Sequence, residues 1–153
     1  MEQSFGDYIR RQFLLGEWEP NGFSPLVLAY IGDAVYELIM RSIVVSGGNK
    51  QVNKLHRETS RYVKAQAQAA MMDTLLSMLT EQETVIYKRG RNAKPYTTAK
   101  NASVNDYKKA TGFEALMGYL YLSDNLPRLT ELIKEALSRY TPNDPQGTEA
   151  RNR

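Results

Sequence analysis

The stretch Leu26–Val45, LVLAYIGDAVYELIMRSIVV, constrains this chain more than any other. It is almost wholly apolar, yet three charges interrupt it: Asp33, Glu37 and Arg41. Spaced i, i+4 and i+8, they share one narrow stripe on a helix. Ser24 and Pro25 just upstream are suited to open that helix, Ser as acceptor for free amides and Pro in the first turn. The run therefore reads as a helix buried around most of its circumference, with a single polar strip. A membrane span is long enough to fit, but ionisable groups at its centre are costly and no second apolar span follows. Glu37 and Arg41 explain one another as an ordinary i,i+4 pair. Asp33 has no such explanation, because its i+4 neighbour Glu37 carries the same charge. Asp competes with the backbone for hydrogen bonds in mid-helix. Gly32 beside it costs about 1 kcal/mol against Ala. Two penalties side by side in an apolar helix mark a candidate site.

The 153 residues are enough for one domain with a real core, and the 42% apolar content agrees. No Cys is present, which excludes disulfides, thiolate zinc sites and a cysteine nucleophile. The opening MEQSFGDYIRRQF lacks a basic-then-apolar export pattern, so a cytoplasmic protein is expected. Residues 1–22 read as an arm or short helix packed on the body. Residues 23–140 form that body, and residues 141–153, rich in Pro, Asn, Gly and charge, read as a flexible tail.

Within the body the pattern is helical throughout, so the expected fold class is all-α. After a turn at Ser46–Asn49, residues 52–79 predict one long helix or two consecutive ones. Met71, Met72 and Met78 there read as core filler. Thr80 with Glu83 looks like a capping box opening a helix over about 81–91. Helices follow over 104–122 and over Leu126–Tyr140. His56, the single histidine, stands between Leu55 and Arg57 on a helix and reads as structural rather than as a general base.

The helix over 104–122 repeats the anomaly of the first one: Glu114 is the only charge from Gly112 to Leu122. Buried carboxylates are unfavourable unless paired or bound to a cation. If the two helices pack together, with Gly112 and Gly118 allowing close approach, Asp33 and Glu114 meet. Facing carboxylates repel unless one is protonated or a metal lies between them. Hard oxygen ligands of this kind suit Mg²⁺. The alternative is that each pairs with a Lys or Arg from elsewhere.

Charge points to the substrate. The segment Lys88–Lys109 carries a net +6, against a whole-chain charge of +3. By this count the net positive charge lies in one place. Lys88, Arg89, Arg91, Asn92, Lys94 and Lys100, with Tyr96, Thr97 and Thr98, offer forked donors, hydroxyls and exposed loop backbone suited to phosphates. A basic loop can simply aid solubility, but this concentration favours a nucleic-acid surface. Basic loop and carboxylate-bound Mg²⁺ together point to phosphodiester hydrolysis.

At these residues a resemblance enters. LAYIGDAVYELI is similar to the signature helix of the ribonuclease III family, and GFEALMGYLYL resembles its second acidic helix. LHRETSRYVKAQAQA between them resembles the family's central helix. With YKRGRNAK and the short length, the pattern over roughly Pro25–Asp124 resembles the Mini-ribonuclease III branch. That branch consists of the nuclease domain without a double-stranded RNA-binding domain. The resemblance implies the ribonuclease III endonuclease-domain helical fold and a homodimer. It also implies Mg²⁺-dependent cutting of double-stranded RNA to 5′-phosphate and 3′-hydroxyl ends. It assigns metal binding and catalysis to Asp33 and Glu114. It further implies maturation of large-subunit (23S) precursor ribosomal RNA, with a ribosomal protein as a potential helper. Larger family members carry a Glu four residues before the Asp and an Asp three before the Glu; here those places are Ala29 and Thr111. Two other classes remain open: a non-catalytic RNA-binding or ribosome-associated helical module, and an all-α protein whose basic loop grips an acidic protein.

Overall fold

The computed structural model describes residues 4–93 and 103–142. Lys94, Lys100, the hydroxyl residues between them and nearly all of the expected tail lie outside this range. Among the described residues there are seven α-helices and no strand, as an all-α chain requires. They are α1 (Phe5–Gln12), α2 (Pro25–Val45), α3 (Val52–Val63), α4 (Ala65–Leu75), α5 (Glu81–Asn92), α6 (Val104–Leu122) and α7 (Leu126–Arg139).

Local signals account for most helix starts. Ser24 Oγ accepts from the Val27 amide at 3.3 Å, with Pro25 in the first turn of α2. At α5 the capping box is complete: Thr80 Oγ1 accepts from the Glu83 amide at 3.1 Å, and the Thr80 amide donates to Glu83 Oε1 at 2.9 Å. Arg128 of α7 also donates to Glu83 at 2.9 Å, and this bond holds the carboxyl below its ordinary pKa. One capping residue thus ties two helices together. Residues 52–79 resolve into two helices, because Lys64 between them is extended, with ψ 155°.

The hub is α6. Ala110, Phe113, Ala115, Leu116, Met117, Leu120 and Leu122 are all buried, against α2, α4, α5 and α7. Met71 and Met72 of α4 are fully buried in this core, and Met78 packs at its edge. Tyr36 stacks edge-on to Phe113 at 5.0 Å and donates its hydroxyl hydrogen to the Tyr62 carbonyl at 2.7 Å.

Three sequence expectations need correction here. First, α2 is not buried around most of its circumference. Only Leu28, Ala29, Gly32, Tyr36 and Met40 are buried, whereas Tyr30 is 81% exposed and Leu38 55%. The reason is that α6 covers one face only. Second, the glycine contact between α2 and α6 is made by Gly32 and Gly118. A Cβ on Gly32 would run into the Glu114 carbonyl oxygen, and one on Gly118 into that of Leu28. Gly112 instead admits the Tyr87 ring of α5, which a Cβ would meet at 2.7 Å. Third, Lys88, Arg89, Arg91 and Asn92, counted with the basic loop, lie in α5, as the expected helix over about 81–91 has it for all but Asn92. Gly90 among them is buried, where a Cβ would meet Ala115 at 2.8 Å, so its backbone is not offered to a ligand.

The N-terminal segment is pinned to the far end of α6. The Arg10 guanidinium, its side chain 7% exposed, donates to Asp124 at 2.7 Å and lies 4.3 Å from the Trp18 ring centre. The Trp18 indole donates to the Leu122 carbonyl at 2.8 Å. Among the described residues no helix is long and apolar enough to cross a membrane.

Candidate active site: two carboxylates in one cleft

Because Gly32 lets α2 rest on the backbone of α6 at Glu114, the next residue, Asp33, is delivered beside the Glu114 side chain. The two line one cleft of about 340 Å³, together with Leu26, Ala29 and Tyr30 of α2 and Tyr107 and Thr111 of α6. Asp33 stands at its exposed edge and Glu114 is deeper. The helical register makes this convergence: Ala29 and Asp33 are i,i+4, and Tyr107, Thr111 and Glu114 follow at i, i+4 and i+7.

Both carboxyl pKa values are raised. Burial is the first cause for Glu114, followed by the Asp33 charge, a hydrogen bond to Asp33 and the Glu37 charge; together they push it up to about 9. Asp33 is raised mainly by loss of water, while its hydrogen bond with Glu114 acts in the opposite sense. At neutral pH burial and the neighbouring Asp33 charge therefore favour the protonated form of Glu114. Among the described residues no Lys or Arg pairs with either carboxylate, and no third Asp, Glu, His or Cys completes a metal-holding cluster with them. Two hard oxygens brought together with no cationic side chain fit a divalent ion whose other ligands are waters.

The neighbouring groups separate by geometry. Thr111 Oγ1 donates to the Tyr107 carbonyl at 3.0 Å, within its own helix. Glu37 lies one turn beyond Asp33 and does not line the cleft; its Oε1 accepts from Arg41 at 2.8 and 3.2 Å. His56 is exposed on α3 and lines a different groove with Arg41, Val44 and Leu55. Leu26, Tyr30 and Tyr107, absent from the candidates drawn from sequence, form cleft walls; their spacing of three or seven residues before a carboxylate was the available signal. Lys88, Arg89 and Asn92 are exposed on α5, while Arg91 is half-buried with its guanidinium 5.7 Å from the Tyr87 ring centre.

Residues 26–125, which hold the cleft and the whole of α2 bar one residue, α3, α4, α5 and α6, match the family model of the Ribonuclease III domain. This chain belongs to the ribonuclease III family. Within the family it is similar to proteins named Mini-ribonuclease 3. It is 53% identical to that of Enterococcus faecalis over 116 residues, covering 74% of this chain and 88% of the relative. It is 46% identical to that of Clostridium tetani over 135 residues, covering 85% and 89%. An X-ray crystal structure of a Fusobacterium nucleatum protein superimposes with a TM-score of 0.70 at 29% identity, over 76% of this chain and 93% of that one. As a ribonuclease III-family protein, the chain is an endoribonuclease acting on double-stranded RNA.

Proposed function

We propose that this protein is a Mg²⁺-dependent nuclease that cleaves double-stranded RNA at the Asp33–Glu114 cleft, leaving 5′-phosphate and 3′-hydroxyl ends. The observation that carries this reading is the carboxyl pair itself: Asp33 and Glu114 line one open cleft with no basic partner among the described residues, and burial with the Asp33 charge favours a proton on Glu114. Such a pair is poised to exchange that proton for a cation. Asp33 and Glu114 would hold Mg²⁺, with waters and an RNA phosphate as further ligands. The bound ion supplies water activation and stabilisation of the leaving oxygen. Ala29 and Thr111 leave the ligand set at two carboxylates. Lys88, Arg89, Arg91 and Asn92 at the end of α5, with Lys94 and Lys100 beyond it, would engage phosphates.

Residues 23–140 form the catalytic body in this reading, with 1–22 as an arm and 141–153 as a tail. The uncovered face of α2, including Val27, Tyr30 and Leu38, supports a homodimer whose second subunit covers it. Two symmetry-related clefts then let each subunit cut one strand. In this reading the protein matures 23S precursor ribosomal RNA in the cytoplasm, with a ribosomal protein as a helper. The test is incubation with duplex RNA and Mg²⁺, with and without EDTA. Cleavage that EDTA abolishes is expected. Tight binding without cleavage at any divalent-ion concentration would instead establish the non-catalytic RNA-binding module.

A further inference from the structure

Lys54, Arg57 and Arg61 of α3 and Lys64, the capping residue that follows its last turn, stand at i, i+3, i+7 and i+10. This spacing places them in one stripe on the helix, about 15 Å long at 1.5 Å per residue. The opposite side of the helix is the packed one: Thr59 is buried, and Tyr62 and Val63 pack on the core. Lys54, Arg57 and Lys64 are exposed and form no ion pair among the described residues, and Asn53 and Ser60 beside them are exposed polar residues.

Three other helices hold surface ion pairs one turn apart. Asp7 pairs with Arg11, Glu37 with Arg41 and Glu135 with Arg139, each at i,i+4. Lys54, Arg57 and Lys64 form no such pair among the described residues. The one acid of the segment, Glu58, is directed to Lys50 at 3.0 Å. Residues 50–64 thus carry a net +4 and Lys88–Lys109 a net +6, so the rest of the chain is −7. The positive charge lies in two places, not the single one inferred from sequence.

We propose that the outward face of α3 is a second phosphate-binding surface, on which Lys54, Arg57 and Lys64 hold the backbone of duplex RNA outside the cleavage cleft. The proposal rests on the duplex-RNA reading above. A stripe of point charges reads backbone rather than sequence, which is how an RNA duplex is chiefly recognised. An acidic remainder disfavours the polyanion elsewhere and so orients it. A membrane surface fits less well, because Tyr62 and Val63 of α3 are turned into the core rather than outward for insertion.

The test is the triple variant Lys54→Gln, Arg57→Gln, Lys64→Gln in the full chain, with duplex RNA binding measured against salt in EDTA. The slope of log K against log salt should fall by about 2 to 3, at about 0.9 per lost phosphate contact. Affinity near 100 mM salt should drop at least tenfold, with thermal melting and cleavage rate at saturating RNA unchanged. Lys134→Gln, on the exposed side of α7, should change the slope little and so separates local contact from net charge. If wild type binds and cuts duplex RNA while the triple variant keeps its slope and affinity, α3 is a solvated face and the proposal fails. If wild type does not bind duplex RNA, the functional reading itself fails. Loss of binding to phosphatidylserine vesicles with RNA binding intact would assign the stripe to a lipid surface and overturn the proposal.

Discussion

Glu114→Gln isolates the energetic strain that the cleft places on the fold. In the metal-free protein the Glu114 carboxyl is pushed up to about 9 from an ordinary 4.5, with burial as the first cause and Asp33 as the second. A folded-state pKa raised above the unfolded value contributes stability that is full below the unfolded pKa and is lost as pH rises through the folded one. Wild-type stability should thus decline between pH 4.5 and 9 relative to a variant that cannot ionise there. Between pH 4.5 and 7 the full linkage value is about 3.4 kcal/mol, and water in the open cleft reduces it to about 1–2 kcal/mol. A Gln side chain keeps a donor toward Asp33 without adding charge. Metal-free Glu114→Gln should then melt roughly 2–8 °C above wild type at pH 7, taking 2–4 °C per kcal/mol for a domain of this size. The difference should vanish near pH 4.5 and grow toward pH 8. Added Mg²⁺ or Mn²⁺ should raise the melting temperature of wild type and leave the variant unmoved. The assay is differential scanning fluorimetry in EDTA from pH 4.5 to 8, repeated with metal. A melting difference that is the same at pH 5 and pH 8 would refute the raised Glu114 pKa.

Three further outcomes are expected. Asp33→Asn should keep duplex-RNA affinity within about twofold and lose cleavage; a folded Asp33→Asn enzyme cutting at the normal rate would remove Asp33 from the chemistry. Gly32→Ala should destabilise by about 3 kcal/mol or more, since its Cβ meets backbone that cannot yield; denaturant melts within 1 kcal/mol of wild type would contradict the close α2–α6 approach. The uncovered α2 face predicts a dimer by light scattering at assay concentration, weakened by Leu38→Lys; an active monomer would show that the face serves another partner.

Much of the fold was legible because its signals are local. The Ser24–Pro25 start, the Thr80–Glu83 box and the bounds of α6 need only neighbouring residues, and the helix over 104–122 lies where its periodicity puts it. The break at Lys64 carries no Gly or Pro, so nothing in the local sequence announces it. It is stabilised instead by Gln68, whose amide donates to the Val63 carbonyl at 2.9 Å across the bend. The end of α5 falls within one residue of the expected 81–91, although Arg-Gly-Arg-Asn reads as a loop in isolation. In the fold, Gly90 is the residue that lets α5 lie against α6.

The site divides in the same way. Residue type alone pointed to Asp33 and Glu114, since an isolated carboxylate in an apolar helix is anomalous wherever that helix packs. Which groups surround them is a tertiary matter. Gly32 was read as a helix penalty signalling a site, and its physical role is more direct: it removes the Cβ that would hold α2 off the Glu114 backbone. The apparent cost and the candidate site are then one feature, because this close approach brings Glu114 beside Asp33. A larger residue at position 32 would separate the carboxyls and let the Glu114 pKa fall toward its ordinary range. Fold stability and the readiness of the pair to accept a cation are therefore set by the same two backbones in contact.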